Sequence, residues 1–461
     1  MVEHNHYDNA PHRGLTDDTY IEILVALDAD NPQRKLKKLL IDLHPADIAD
    51  LIERLPREHR AEVVQATPKE HVGDMLAELE DGVKEYILQT MDPEVLKEII
   101  SEMESDDAAD MAQAVEDMAE EEGVEIDAED LLADHQHKHL LDFEPDTAGG
   151  LMQLEVVTAL PTETVTRMLK YLRETPDLPN NPGSIFVVNK QRKLLGTISL
   201  GRLIRMPLTA TLEDVMRKEP LNVQPEASAE EVIKIFEKYD IHNLAVLNKR
   251  GQLLGRITID DVLDTVMDEE AYRQSAAAGV DASEDLFAPA LESTRYRMPW
   301  LIVNLGTAIA AASVIALFEN SIAQLTTLAV LMPIITSMGG NATTQTQTVV
   351  IRGLALGQIT SHNKWNLFRK EFMVGAYKGI FLSTIMALGA WLIFGNPMLA
   401  LVIALATVAN HLIAAFAGWA TPIVLKKFKY DPAISSGVIT TTFTDVGGFF
   451  VFLSLATLLL L

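Results

Sequence analysis

The sequence predicts a multidomain protein: an all-α superhelical domain on the cytosolic side, a tandem pair of α/β modules, a connecting helix, and an α-helical transmembrane domain of five helices. Three observations lead there. Charge is split along the chain, with 28 Lys/Arg and 61 Asp/Glu in residues 1–290 but ten and five in residues 291–461. A stretch beginning near residue 183 recurs 59 residues later. Five apolar runs follow residue 298, each at or above the roughly 20 residues needed to cross a bilayer. So acidic a soluble part attracts cations and argues against nucleic acid as a partner. From charge alone, a solvated surface that merely keeps the protein soluble reads the same. The lack of cysteine rules out disulfides and thiolate metal sites. The first 20 residues are polar, so no cleavable signal peptide is expected.

Residues 1–16 read as a disordered tail and 17–135 as the helical domain. Within it HPADIADLIERLP at 44, TPKEHVGDMLAELE at 67 and MDPEVLKEIISEME at 91 repeat one phrase about two dozen residues apart. Each begins with a turn residue or Pro near a first helical position, then spaces apolar residues as a helix does. That period predicts stacked helices in a short solenoid-like domain. Near its end SDDAADMAQ puts Asp106 and Asp110 on one helix face, with Asp107 beside them. Helix capping by Ser105 and Asp106 and cation binding both account for that acidic turn. His135, His137 and His139 alternate, and on a helix that spacing scatters the rings, which argues against a metal site.

The internal repeat is GSIFVVNKQRKLLGTISLGRL (183–203) against IHNLAVLNKRGQLLGRITIDDVL (241–263). Asn189-Lys190 returns as Asn248-Lys249, and Leu194-Leu195-Gly196 as Leu253-Leu254-Gly255. Each copy reads as strand, tight turn, strand, helix, preceded by a helix after Pro161 or Pro225. Two such copies, assigned to 136–208 and 209–264, would bury their sheets against each other. The pair resembles CBS domains, modules that sense nucleotides or ions. In nucleotide-binding members a Gly-x-x-Ser/Thr-x-x-Asp run holds the ribose, and the second copy keeps Gly255, Thr258 and Asp261. The first copy has Gly196 and Ser199 but Arg202 in place of the acid, so the resemblance implies at most one ATP site. A purely structural Gly and Thr fit the pattern equally well.

A continuous helical pattern then runs through 260–290, the connecting segment. Asp261, Asp264, Asp268 and Glu269 fall one turn apart and form an acidic stripe along it. The membrane domain, 291–461, holds apolar spans at about 299–318, 322–350, 372–394, 398–424 and 433–461. Arg295, Arg297, Arg352, Lys364, Arg369, Lys370, Lys426, Lys427 and Lys429 precede the first span or lie in the second and fourth connections. The other two connections have no Lys or Arg, so the acidic domains are expected in the cytoplasm and the C-terminus outside. Pro333, Gly339 and Gly340 interrupt the second span, after which Asn341, Thr344, Gln345 and Thr348 make a polar face. Interhelical hydrogen bonding and a wet pathway both explain such a face.

In the last span one carboxylate stands out. Asp445 lies twelve residues past Ala433, about 18 Å along a helix and so near mid-bilayer. An ionisable group there costs at least about 2.5 kcal/mol and should face a bundle interior or water. Thr441, Thr442 and Gly448 share its face, where a cation could approach backbone oxygen. A buried, protonated Asp bonded to a neighbouring helix is the other account.

The order of parts from about 17 to 461 resembles the MgtE family of magnesium channels. The motifs that carry the resemblance are GGNATTQTQTVVIRGLALGQI in the second span, DPAISSG before the fifth and TDVGGFF around Asp445. Thr343, Thr344 and Thr346 depart from the more usual Gly, Asn and Ser, and Gly437 stands where Asn can occur. The resemblance implies a homodimer in the cell membrane. It implies Asp445 as the pore acid, with Thr441, Asn341 and Gly437 nearby. A channel for Mg²⁺ should pass a largely hydrated ion, because Mg²⁺ sheds water reluctantly, so few carboxylates suffice. The acidic faces at Asp106, Asp110, Asp240, Asp261, Asp264 and Glu269 would repel each other until cytosolic Mg²⁺ drew the domains together and the connecting helix plugged the pore. Selection among Mg²⁺, Mn²⁺, Co²⁺ and Ca²⁺ is left open. A proton- or sodium-coupled divalent cation carrier, with Asp445 cycling its proton, is the alternative. No phosphate loop, nucleophile motif or HExxH spacing supports an enzyme.

Overall fold

A computed structural model of the chain describes all residues except 1–13, 30, 124–125, 133–134, 176–177, 180–181, 281–282, 429 and 431. The side chains of 121–122, 135–136, 277–278 and 432–436 are likewise outside the description. Most of the expected tail, the His135 ring and much of the DPAISSG motif therefore lie outside the described residues. The chain divides into two compact units, Met1–Glu269 with Asp285–Ala288, and Glu270–Glu284 with Pro289–Leu461.

The first unit opens with helices α1 (Asp17–Leu27), α2 (Pro32–Leu40), α3 (Pro45–Arg54), α4 (Arg57–Ala66), α5 (Lys69–Ala77), α6 (Asp81–Thr90), α7 (Pro93–Ile100), α8 (Ser105–Glu122), α9 (Ala128–Leu131) and α10 (His135–Lys138). The three recurring phrases are α3, α5 and α7. Pro45 and Pro93 sit in their first turns, where a missing N–H costs nothing, and the Asp92 carboxylate accepts from the Glu94 N–H at 3.0 Å. The intervening helices form a second row, so α2, α4, α6 and α8 stack in turn beside α3, α5, α7 and α9. Leu36, Leu40, Ile48, Leu51, Ile52, Leu55, Met75 and Leu76 are fully enclosed between the rows. Each such side chain contributes roughly 1.5–3 kcal/mol of burial.

The tandem modules follow as β1 (Thr158–Ala159), α11 (Val165–Glu174), β2 (Ser184–Val188), β3 (Leu194–Ser199), α12 (Leu200–Ile204), α13 (Leu212–Val215) and β4 (Arg217–Lys218), then β5 (Asn222–Val223), α14 (Ala229–Tyr239), β6 (Asn243–Leu247), β7 (Leu253–Thr258) and α15 (Ile259–Ala278). The sheets run β1-β2-β3-β4 and β5-β6-β7, with β1 parallel to β2 and β5 to β6, and the hairpins antiparallel. Asn189 Oδ1 accepts from the N–H groups of Gln191 and Lys193, and Asn248 Oδ1 does the same for Arg250 and Gln252, so the repeated Asn closes each turn. The two hairpins also pair with each other: the Leu194 N–H donates to Gly251 O at 3.1 Å and the Leu253 N–H to Arg192 O at 2.9 Å. Phe186, Val188, Ala245 and Leu253 bury the seam.

The second unit contains α16 (Ala290–Leu317), α17 (Glu319–Gln324), α18 (Thr327–Ala355), α19 (Lys364–Phe394), α20 (Pro397–Lys427) and α21 (Pro432–Leu460). Among the described residues four helices are long and apolar enough to cross a membrane: α16, α19, α20 and residues Gly437–Leu460 of α21. The remaining expected span lies on α18, which has 29 residues but is made more polar by its Asn341–Thr348 stretch. Pro333 and the glycine pair do not break α18 as the sequence suggested. A proline removes only one intrahelical donor, and α18 is packed against α20 and α21, which support a continuous helix across the gap. The expected connection at Glu319–Ser321, together with the first residues of the expected span, instead forms the separate short helix α17.

Candidate functional site

On α21 the run of small and hydroxylic residues satisfies itself along the helix. Thr441 Oγ1 donates to Gly437 O at 2.8 Å, and Thr444 Oγ1 to Thr441 O at 2.9 Å. Thr440 Oγ1 reaches across to Gln347 Oε1 on α18 at 2.8 Å. These bonds leave Asp445 conspicuous. It is half-buried, yet its carboxylate makes no hydrogen bond or ion pair among the described residues. The alternative of an Asp tied to a neighbouring helix thus finds no partner there. Thr441 and Asn341 are exposed, as are Thr344, Gln345 and Thr348, and no atom lies within 4 Å of the position a Gly437 Cβ would take. Asn341, Thr441 and Gly437 therefore occur on surfaces that the unit's own helices leave open, with the half-buried Asp445 one turn from Thr441. The Thr441 carbonyl, expected to face an ion, already accepts the Thr444 hydroxyl.

In the first unit the start of α8 and the start of α15 bring carboxylates together. Asp106 is buried and its Oδ1 has no hydrogen-bond partner. A buried polar atom left this way costs about 1–3 kcal/mol. Burial, then Asp107, Asp261 and Glu104, push the Asp106 carboxyl well above the usual range. Burial, Asp261, Glu104 and Asp110 raise Asp107 to about 7. Asp110 reaches about 6 through burial, Asp261 and Asp81, with Lys84 acting against them. As whole residues Asp107 and Asp110 are exposed, so solvent tempers these shifts and their shared direction is what matters. Asp261 is raised by burial, opposed by its bonds from Thr258, and Asp264 is raised by burial, Glu78 and Asp268.

The structure thus gathers Asp106, Asp110, Asp261 and Asp264 of the predicted set. Asp240 and Glu269 do not figure among the charges acting most strongly on them. Asp240 instead ends α14 in a left-handed conformation, φ 49°. Sequence reasoning missed Glu104, Asp81 and Glu78, which belong to helices whose mutual approach no local pattern reveals. Capping by Ser105 and Asp106 was one of its two accounts of the turn. In the structure Glu104 precedes α8 without a side-chain cap, while Ser105 Oγ donates to Glu155 Oε2 at 2.7 Å and accepts from the Leu154 N–H at 2.8 Å. Among the described residues no three His, Asp or Glu side chains form a ready-made metal cage. The donor set still suits Mg²⁺, which keeps most of its water and takes one or two carboxylates, and the unpartnered Asp106 Oδ1 offers one such oxygen.

The residues expected for a nucleotide are employed in packing. Thr258 donates to Asp261 Oδ2 through its hydroxyl at 2.6 Å and its N–H at 3.1 Å, and Gln153 Nε2 reaches Asp261 Oδ1 at 3.3 Å. A Cβ on Gly255 would meet Gln153 O at 2.5 Å, and one on Gly196 would meet Arg217 O at 2.7 Å. The repeated glycine therefore admits a neighbouring backbone in both copies.

A second missed feature is a buried clasp. Asp285 accepts from Arg60 through both carboxylate oxygens, at 2.8 and 2.9 Å, and from Arg57 at 2.8 Å. Burial pushes this acid up, but the two guanidinium groups outweigh it and hold Asp285 at about 2. Arg57 also lies 4.7 Å from the centre of the Tyr86 ring.

An acidic helical domain joined to paired CBS domains and a helical membrane bundle is the arrangement of a divalent cation transporter. Residues 43–146 match the MgtE intracellular N domain, 148–208 and 212–268 the CBS domain, and 332–455 the MgtE divalent cation transporter family. The magnesium transporter MgtE of Thermus thermophilus is 31% identical over 431 residues, covering 93% of this chain and 95% of the relative. The magnesium transporter MgtE of Bacillus subtilis is 28% identical over 453 residues, with 96% and 98% covered. The chain belongs to the MgtE family. A crystal structure of the cytosolic domain of the Mg²⁺ channel MgtE in complex with ATP is 32% identical, covers 53% of this chain and 99% of its own, and superposes with a TM-score of 0.49.

Proposed function

We propose that this chain moves Mg²⁺ into the cytoplasm as a channel, with Asp445 as the carboxylate the ion meets in the membrane. The observation that carries the reading is a half-buried acid without a protein partner, on a helix that is otherwise apolar or hydroxylic. A carboxylate kept in such surroundings requires a counter-charge, and a hydrated divalent cation supplies one. Asn341, Thr441 and Gly437 lie on open surface, which in a bilayer calls for water or a second copy of the chain. A homodimer would provide both: two Asp445 carboxylates for one hydrated ion and a cover for the polar helix faces. The basic connections support a cytoplasmic position for the soluble domains and an outside position for the C-terminus.

Gating follows from the crowded acids. The acids at the starts of α8 and α15 lie close enough to act on one another, so cytosolic Mg²⁺ that binds among Asp106, Asp110, Asp261 and Asp264 favours the arrangement that gathers them, and α15 carries that bias along the chain toward the membrane unit. Asp240 and Glu269 contribute to the acidic field rather than to a shared site. ATP at the second CBS copy would have to displace Thr258 from Asp261, so ATP and the compact sensor compete for one carboxylate. The test is Mg²⁺ uptake by the full chain in proteoliposomes, with Mn²⁺, Co²⁺ and Ca²⁺ as competitors. Uptake without net proton or sodium movement is expected. Strict coupling to either ion would overturn the channel in favour of a carrier.

A further inference from the structure

Among the described residues of α20, the large polar side chain wholly enclosed between α18 and α21 is Asn410, and it has no part in the path described above. Its exposure is 0%, its Nδ2 donates to Ile335 O on α18 at 2.9 Å, and its Oδ1 has no partner. Two glycines flank it from the two sides. A Cβ on Gly339 of α18 would collide with Asn410 Nδ2, and a Cβ on Gly448 of α21 would lie 2.9 Å from the same nitrogen and 3.1 Å from Oδ1. The amide is therefore pressed between the bare backbones of α18 and α21.

These glycines are tied to the path by helix geometry. Gly448 is three residues from Asp445, less than one turn. Gly339 is two residues from Asn341, about 200° around α18, so the face that rests on Asn410 is opposite the face that carries Asn341. We propose that Asn410 is a positioning residue for ion passage: its amide is the spacer that sets the separation of α18 and α21, and through them the relation of Asn341 to Asp445. This rests on the reading of Asp445 as the ion's carboxylate. Leucine has similar bulk and would bury more favourably in this core, so the polar head is explained by the bond to Ile335 O, which fixes the rotamer of the wedge. Mg²⁺ selection needs a site sized for its hydrated form, because Mn²⁺ and Co²⁺ exchange water more readily. A spacer that has been lost should therefore change selectivity more than it changes total flux.

The experiment is a double-mutant cycle on the full chain in proteoliposomes. Gly448→Ala and Gly339→Ala are each expected to cut Mg²⁺ uptake at least tenfold, because the added methyl meets the amide. Asn410→Ala should retain uptake but raise the Mn²⁺ to Mg²⁺ ratio at least fivefold. Asn410→Ala combined with Gly448→Ala should return uptake to within about threefold of Asn410→Ala alone. Melting temperatures of the detergent-solubilised variants give the second readout. A purely structural amide would lower melting while leaving the Mn²⁺ to Mg²⁺ ratio unchanged, and that result overturns the proposal. Additive losses without rescue also overturn it. The rescue in melting does not depend on the path: were Asp445→Asn to transport normally while the cycle still coupled, the ion assignment would fall and the wedge would remain a packing device.

Discussion

Around Asp106 of the first unit, Asp107, Glu104 and Asp261 lie close enough to raise one another's hold on a proton, whereas Asp445 of the second unit is the lone acid of its helix. The two regions face opposite problems with the same chemical group. Around Asp106, negative charges accumulate with only Lys84 and backbone groups to oppose them, and under the proposed reading cations relieve that crowding. On α21 one carboxylate stands in a run of hydroxyls, and under the same reading it is a single weak station, which suits an ion that must also leave. Arg60 and Asp285 mark the contrast from the other side. There a buried acid of the first unit is fully matched by guanidinium groups, and it gives no sign of responding to ions.

The largest effect on stability should come from that matched pair. Arg60→Ala would leave Asp285 buried with half its partners, and we expect about 3–5 kcal/mol loss of stability in the soluble unit, read by chemical denaturation of the full chain in detergent. The pH dependence has a defined sign. Asp285 has a folded value near 2, below its unfolded value of about 4, so its contribution is present above about pH 4 and is lost as pH falls toward 2. A loss under about 1 kcal/mol in Arg60→Ala would show that the clasp is incidental.

Smaller, and opposite in sign, is the effect of pH on the acidic face. Asp107 and Asp110 have folded values near 7 and 6, above their unfolded value of about 4, so protons favour the packed unit. Their contribution is fully present below about pH 4 and is lost as pH rises through about 6 to 7. Without divalent ions, residues 100–275 should be cleaved by protease faster at pH 8 than at pH 6. Millimolar Mg²⁺ should slow cleavage most at pH 8, because protons compete for the same oxygens. Equal rates with Mg²⁺ and EDTA at both pH values would separate the cluster from ion sensing. The last of this series concerns gating. Asp261→Ala with Asp264→Ala should keep the channel open at cytosolic Mg²⁺ that shuts the wild type, and a tenfold shift in the inhibiting concentration corresponds to about 1.4 kcal/mol of lost coupling. Unchanged or stronger inhibition would show that repulsion, not bridging, is what these acids supply.

Legibility in the sequence followed locality. Asn189 and Asn248 announced their turns because the signal lies within five residues and recurs, and Pro45 and Pro93 announced helix starts for the same reason. Asp445 was visible because an acid in an apolar run is rare. Asn410 sat in an equally apolar run and was passed over, since a neutral amide reads there as an ordinary interhelical bond until Gly339 and Gly448 are seen against it. Nothing local marks Asp285, because its partners are 225 and 228 residues away. Grouping by charge sign joined Asp240 to the cluster, whereas the local structure shows it as the left-handed residue that ends α14.

The measurement that bears most directly on the account is Mg²⁺ uptake by proteoliposomes holding wild type or Asp445→Asn, matched for protein amount and for melting temperature. The Asn side chain keeps size and hydrogen bonding but removes the formal charge. Uptake by the variant is expected to fall at least a hundredfold while melting stays within a few degrees. Uptake within twofold of wild type by a well-folded Asn variant would contradict the claim that the one carboxylate of α21 carries the ion.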